Sequence, residues 1–205
     1  EQKRNIVNHP ELLPKKEILK YTSFGFSNLR ADLYWLEAIQ YIWSNAVSSE
    51  YKKYLFSMID IITELNPYFE NPYLIGQLLL PNYNERYEKL GKKDIDLYSN
   101  QWRLIGEKWI KNFCNEDKIK LILNQKDLNK IWTDEKYKNP CKSIDIPFQQ
   151  WFLEYYYLKN HKESADYYKI SSADENSLPW AKIMAWIMNW KAWNREISIM
   201  TFLSL

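Results

Sequence analysis

Residues 177–205, SLPWAKIMAWIMNWKAWNREISIMTFLSL, decide the fold class. Ile183, Trp186, Ile187 and Trp190 recur at the three- and four-residue spacing that lines up one face of an α-helix. Ile197, Met200 and Thr201 resume that spacing after a break at NWKAWN, residues 189–194. The segment therefore predicts two short helices folded back on each other around a tight turn.

Outward from that hairpin, the rest of the chain keeps the same character. Four Gly and eight Pro are all that interrupt 205 residues rich in Leu, Ile, Lys, Glu and Tyr. No alternating apolar and polar run of strand length stands out, which predicts an all-α chain. LLPKKEILKYTS predicts a short helix, with Pro10 and Pro14 near its start. FSNLRADLYWLEAIQYIW predicts a long one, capped by Ser27 or Asn28, with Leu29, Leu33, Leu36, Ile39 and Tyr41 or Ile42 as its apolar stripe. The next helix is expected to open at Ser48 or Ser49, to run through Leu55, Met58, Ile59 and Ile62, and to stop at Asn66 and Pro67. PYLIGQLLL and DIDLYSNQWRLIGEKWIKNF follow as a further pair. Between Cys114 and Ile146, short apolar clusters separated by charges predict one or two short helices and a long loop. Such an insertion reads as a surface spacer, or as a loop that carries function.

Several positions share one register. Ala38, Tyr41 and the closing ITELNP ending at Pro67 form one set, and Gly76 lies near the equivalent small position of the next. Tyr155, Ser164, Tyr168 and Ser171 form another, with KNHKE around His161 as its turn, and Ser198 falls at the small twentieth position of a last unit. In this register the chain resembles the 34-residue tetratricopeptide repeat; Phe152 and Trp186, at the small eighth position, depart from it. The resemblance implies antiparallel helix pairs stacked as a right-handed α-solenoid. It divides the chain into a polar leader with a short helix (1–23), helix pairs (24–113), the irregular insertion (114–146) and further helix pairs (147–205). First helices of such repeats line a concave face, so Tyr34, Tyr41, Tyr73 and Tyr155 become groove candidates. The implied function is a non-catalytic scaffold for a protein or peptide partner. The alternative is a helical accessory region of a larger envelope or transferase enzyme whose catalytic part lies elsewhere.

Composition and motifs narrow the chemistry. With 28 basic and 26 acidic residues interspersed, net charge is +2, without the basic excess that phosphate-backbone binding demands, so no nucleic-acid partner is expected. The best apolar run, LIGQLLLP at residues 74–81, is too short to span a membrane. No Gly-rich phosphate loop is present, and no cofactor is expected. The two His, His9 and His161, and the two Cys, Cys114 and Cys141, are too few for a structural zinc site, so no metal is expected either. His161 lies near Glu163 and Asp166 in sequence but has no nucleophile beside it, and no catalytic residue is assigned. Outside the cytoplasm Cys114 and Cys141 would pair, closing a loop of about 27 residues worth ~3 kcal/mol; inside it they would stay reduced. The chain starts at Glu1 rather than Met and stops at FLSL without a polar closing helix, so both edges read as cut. An upstream anchor to the cell envelope is one expectation and a cytoplasmic location the other.

Ten Trp against four Gly inverts the usual order, since glycine at about 7% would supply roughly 14 residues. Trp43, Trp102, Trp109, Trp180, Trp186, Trp190 and Trp193 stand in contexts that read more naturally with Gly. That is the outcome if UGA, glycine in some bacterial lineages, has been translated as Trp. A Trp-rich aromatic groove is the competing reading.

Overall fold

The computed structural model describes residues 7, 10–46, 51–80 and 90–203. Among these the chain is all-helical and no strand forms; an isolated antiparallel bridge joins Cys114 and Cys141. The chain divides into two compact units, residues 1–105 and 106–205.

The first unit holds α1 (Lys16–Tyr21), α2 (Ser27–Asn45), α3 (Lys52–Leu65), α4 (Glu70–Leu79) and α5 (Lys92–Phe113) as far as Ile105. In α3 the expected stripe of Leu55, Met58, Ile59 and Ile62 is fully buried, each side chain contributing about 2 kcal/mol of transfer free energy. Helices α1, α2 and α4 all pack against it. It ends where Asn66 leaves helical geometry ahead of Pro67, as the sequence predicts. The expected caps Ser48 and Ser49 lie outside the described residues. For α2 two expectations need correction. Phe26 rather than Ser27 or Asn28 stands at the N-cap, with no side-chain cap bond. The buried face is Ala31, Ala38 and Tyr41, whereas Leu29, Leu33 and Leu36 point into solvent. Small residues sit where α2 and α3 meet because they let two backbones approach closely. Gly76 in α4 plays the same part: a Cβ there would stand 2.8 Å from the Ile59 Cδ1. Buried Trp102 is held at both ends of a side-chain pair, its indole N–H donating to the Gln77 Oε1 while the Gln77 amide donates to the Trp102 carbonyl at 3.0 Å.

The second unit takes α5 from Gly106 and adds α6 (Glu116–Asn124), α7 (Leu128–Thr133), α8 (Asp145–Phe152), α9 (His161–Ser172), α10 (Pro179–Lys191) and α11 (Arg195–Leu203). Between α8 and α9 the chain runs through a π-helical turn, Leu153–Tyr157. Helix α9 is the hub: α6, α7, α8 and α10 all pack against it. Its Ser164, Ala165, Tyr168, Lys169, Ile170 and Ser171 are buried accordingly. Residues 114–146 thus form two short helices, as expected, but they are packed on α9 and α11 rather than projecting as a spacer. Asn115 and Asp127 cap them, accepting from the backbone amides of Lys118 and Asn129 at 3.0 Å each. The predicted C-terminal hairpin is present, with Ala192–Asn194 as its turn and Trp193 in the left-handed region at φ 62°. Its expected stripe is met only in part: Ala181, Ala185 and Met188 are buried, Trp186 and Ile187 are half-buried, and Ile183 and Trp190 are exposed.

Candidate functional site

Two consecutive segments, the end of α5 and α6, converge with the distant α9 in the second unit on a cleft of about 480 Å³. The last turns of α5 contribute Glu107, Ile110 and Lys111, and Cys114 follows directly after them. Helix α6 lays Ile119 and Leu123, one turn apart, along the floor, with Glu116 at its start. From α9 come Glu163, Asp166, Tyr167 and Ile170, the i, i+3, i+4, i+7 positions of one helix face. The floor is apolar and the rim carries four carboxylates against one lysine.

The electrostatics of the rim are uneven. Glu116 is exposed and paired with Lys120 at 2.6 Å, which lowers its pKa. Asp166 is half-buried, and burial raises its carboxyl against the pull of Lys169 and Lys162. Behind the cleft, buried Lys169 donates to the carbonyls of Leu123 and Gln125 at 2.8 Å each, satisfying the C-terminal end of α6. Burial pulls its ammonium down to about 8. A disulfide joins Cys114 and Cys141, with the sulfurs 2.01 Å apart, and ties the segment that carries α6 back to the end of α5. With an apolar floor, a partly desolvated carboxylate and carboxylates around it, the cleft suits a side chain that is apolar along its stem and cationic at its tip.

The four groove tyrosines lie elsewhere. Tyr41 and Tyr73 are core residues of the first unit: Tyr41 meets Tyr54 edge-on at 6.3 Å, and the Tyr73 hydroxyl donates to the Pro67 carbonyl at 3.1 Å. Tyr34 is half-buried, with the Arg30 guanidinium 6.0 Å from its ring centre. Tyr155, in the second unit, is half-buried beside the Lys191 ammonium, which donates to its hydroxyl, and the His161 ring 5.2 Å away. None of the four lines the cleft. His161 itself is exposed at the first position of α9 rather than in the turn before it. The cleft was not foreseen because α6 read as part of a spacer and the α9 segment was read for its repeat positions Ser164, Tyr168 and Ser171 rather than for Glu163, Asp166, Tyr167 and Ile170. The usable signal was Ile119, Leu123, Tyr167 and Ile170 at helical spacing.

No known family model, curated protein or solved structure matches this chain. Among the described residues, no helix is long and apolar enough to cross a membrane.

Proposed function

We propose that this chain is a non-catalytic scaffold of tetratricopeptide-like helix pairs that binds a protein or peptide segment. The observation that carries the reading is the cleft between α5, α6 and α9, with its apolar floor of Ile110, Ile119, Leu123 and Ile170 and its acidic rim. Its ligand is a segment presenting an apolar side chain next to a lysine or arginine. Supporting the repeat reading, the small positions Ala38, Ser164 and Ser198 are all buried. In the second unit Ser164 donates to the Trp151 carbonyl at 3.2 Å, and the Trp186 indole reaches the Ser198 carbonyl at 3.0 Å. An anchor upstream of Glu1 would place such a scaffold at the cell envelope.

The test is peptide selection from a random displayed library on the folded protein, followed by fluorescence polarisation. Selected peptides should be enriched in Lys or Arg beside Leu, Ile or Phe and bind with Kd around the micromolar range. Leu123→Ser should weaken them about tenfold, and Asp166→Asn should weaken them and flatten their salt dependence, both with unchanged circular dichroism. Peptides indifferent to both substitutions, or no selectable peptide at all, would sink the proposal.

A further inference from the structure

Independently of the cleft, the first unit presents a second surface with a periodic pattern. Along the solvent side of α2, Phe26, Leu29, Leu33, Leu36, Gln40 and Trp43 alternate at spacings of three and four, the a and d positions of a heptad. All five apolar members are between 53% and 78% exposed. They leave the opposite face, Ala31, Ala38 and Tyr41, to hold the unit together. This is not scattered exposure of single residues. The five side chains expose roughly 600 Å² together, the upper end of what a monomer ordinarily shows in its largest apolar patch.

We propose that this seam is a homodimer interface in which α2 packs antiparallel against α2 of a second copy. Its pattern is self-complementary about a two-fold axis between Tyr34 and Trp35. Phe26 would meet Trp43 of the other copy, Leu29 would meet Gln40, and Leu33 would meet Leu36, so every a position faces a d position. Flanking charge selects the direction. In the antiparallel pairing the e positions face one another, which puts Arg30 of each copy beside Glu37 of the other, twice over. In a parallel, in-register pairing the g position Asp32 would face Glu37 of the other copy, a like-charge contact also made twice. Arg30 spends one bond on Thr22, at 2.9 Å, and its guanidinium has further N–H groups to offer. Pairing two seams covers about 1,000 Å², the lower bound for a specific interface, and Gln40 at an a position costs stability while fixing register. The dimer is accordingly weak and reversible, with a dissociation constant on the order of 10–100 µM.

Sedimentation equilibrium of the purified chain, from a few to several hundred micromolar, tests this. The expected result is a monomer–dimer equilibrium. Leu33→Glu with Leu36→Glu should abolish it without changing the circular dichroism spectrum, because both side chains are already in water. Glu37→Arg reads the orientation: it should weaken the antiparallel dimer at least tenfold by setting Arg30 against arginine, and adding Arg30→Glu should restore it. A chain monomeric at every concentration overturns the proposal, as does a dimer untouched by the paired leucine substitution. Strengthening by Glu37→Arg alone, the parallel outcome, overturns it as well.

Discussion

The seven tryptophans that read as glycine sites divide when their surroundings are compared. Trp193 is 75% exposed with φ 62°, a conformation that costs an L-residue about 1–2 kcal/mol and glycine almost nothing. Against that stands the Arg195 guanidinium 4.6 Å over its ring, worth ~0.5–1 kcal/mol at an exposed site. Trp193→Gly should therefore stabilise the protein by about 0.5–1 kcal/mol. Trp102 is 1% exposed and shares two hydrogen bonds with Gln77, so Trp102→Gly should cost about 3–5 kcal/mol, removing the indole donor to the buried Gln77 Oε1 while the bond to the residue 102 carbonyl stays. Recoding of UGA predicts stabilisation at both sites, whereas the local environments predict opposite signs. Urea unfolding of the two variants separates these, and stabilisation by Trp102→Gly would speak for glycine throughout. Lys169 offers a second sign to measure. In the unfolded chain its ammonium titrates near the ordinary 10.5; in the fold, near 8. Between those values the unfolded state holds more protons, so stability rises with pH across that window, and below about 8 the cost of the buried charge is fully present. Both carbonyls keep their donors, because a neutral amine still has two N–H groups for Leu123 and Gln125. Melting the protein and Lys169→Met from pH 7 to pH 10 should show the difference growing in favour of the lysine as pH rises. A constant difference would mean that the ammonium is not displaced from its ordinary range.

At the scale of elements, Gly106 of α5 lies close against Gln150 of α8. A Cβ on Gly106 would fall 1.9 Å from the Gln150 amide nitrogen and 2.9 Å from its Cγ, and Gln150 is fully buried. Gly106→Ala should then destabilise the protein by about 1–3 kcal/mol despite alanine's better helix propensity, as denaturant titration would show. A stabilised variant would mean that Gln150 can swing aside. Helix existence and boundaries were largely legible: α3 stops at Asn66 as predicted, and the α10–α11 hairpin turns where NWKAWN placed it. Helix facing was not. In α2 and α10 the large residues and the small ones both recur at helical spacing, so periodicity alone offers two stripes. The choice between them is made by packing against the neighbouring helices, α3 for α2 and α9 and α11 for α10, which leaves Ala31 and Ala38, or Ala181 and Ala185, buried. The cleft was hidden for a related reason, since its walls come from three helices whose individual patterns look like ordinary amphipathic surfaces.

For the whole molecule, 28 basic and 26 acidic residues leave a net charge of +2, and each unit is built of helices packed on helices. The bridge between Cys114 and Cys141 adds a dependence on address. One of its sulfurs belongs to a residue in the cleft wall, so the proposed binding surface and the crosslink adjoin. Opening the bridge releases a segment of 27 residues that carries α6, and should lower the stability of the second unit by about 3 kcal/mol. Amide hydrogen exchange with and without a thiol reductant would register it as faster exchange across residues 116–124 while α10 stays protected. Unchanged exchange in α6 would show that its packing on α9 holds it without covalent help. In an oxidising compartment the proposed binding cleft would thus be pre-shaped before any ligand arrives, and in a glutathione-rich one the ligand itself would have to shape it, so a proposed partner should be held more tightly by the oxidised chain than by the reduced one.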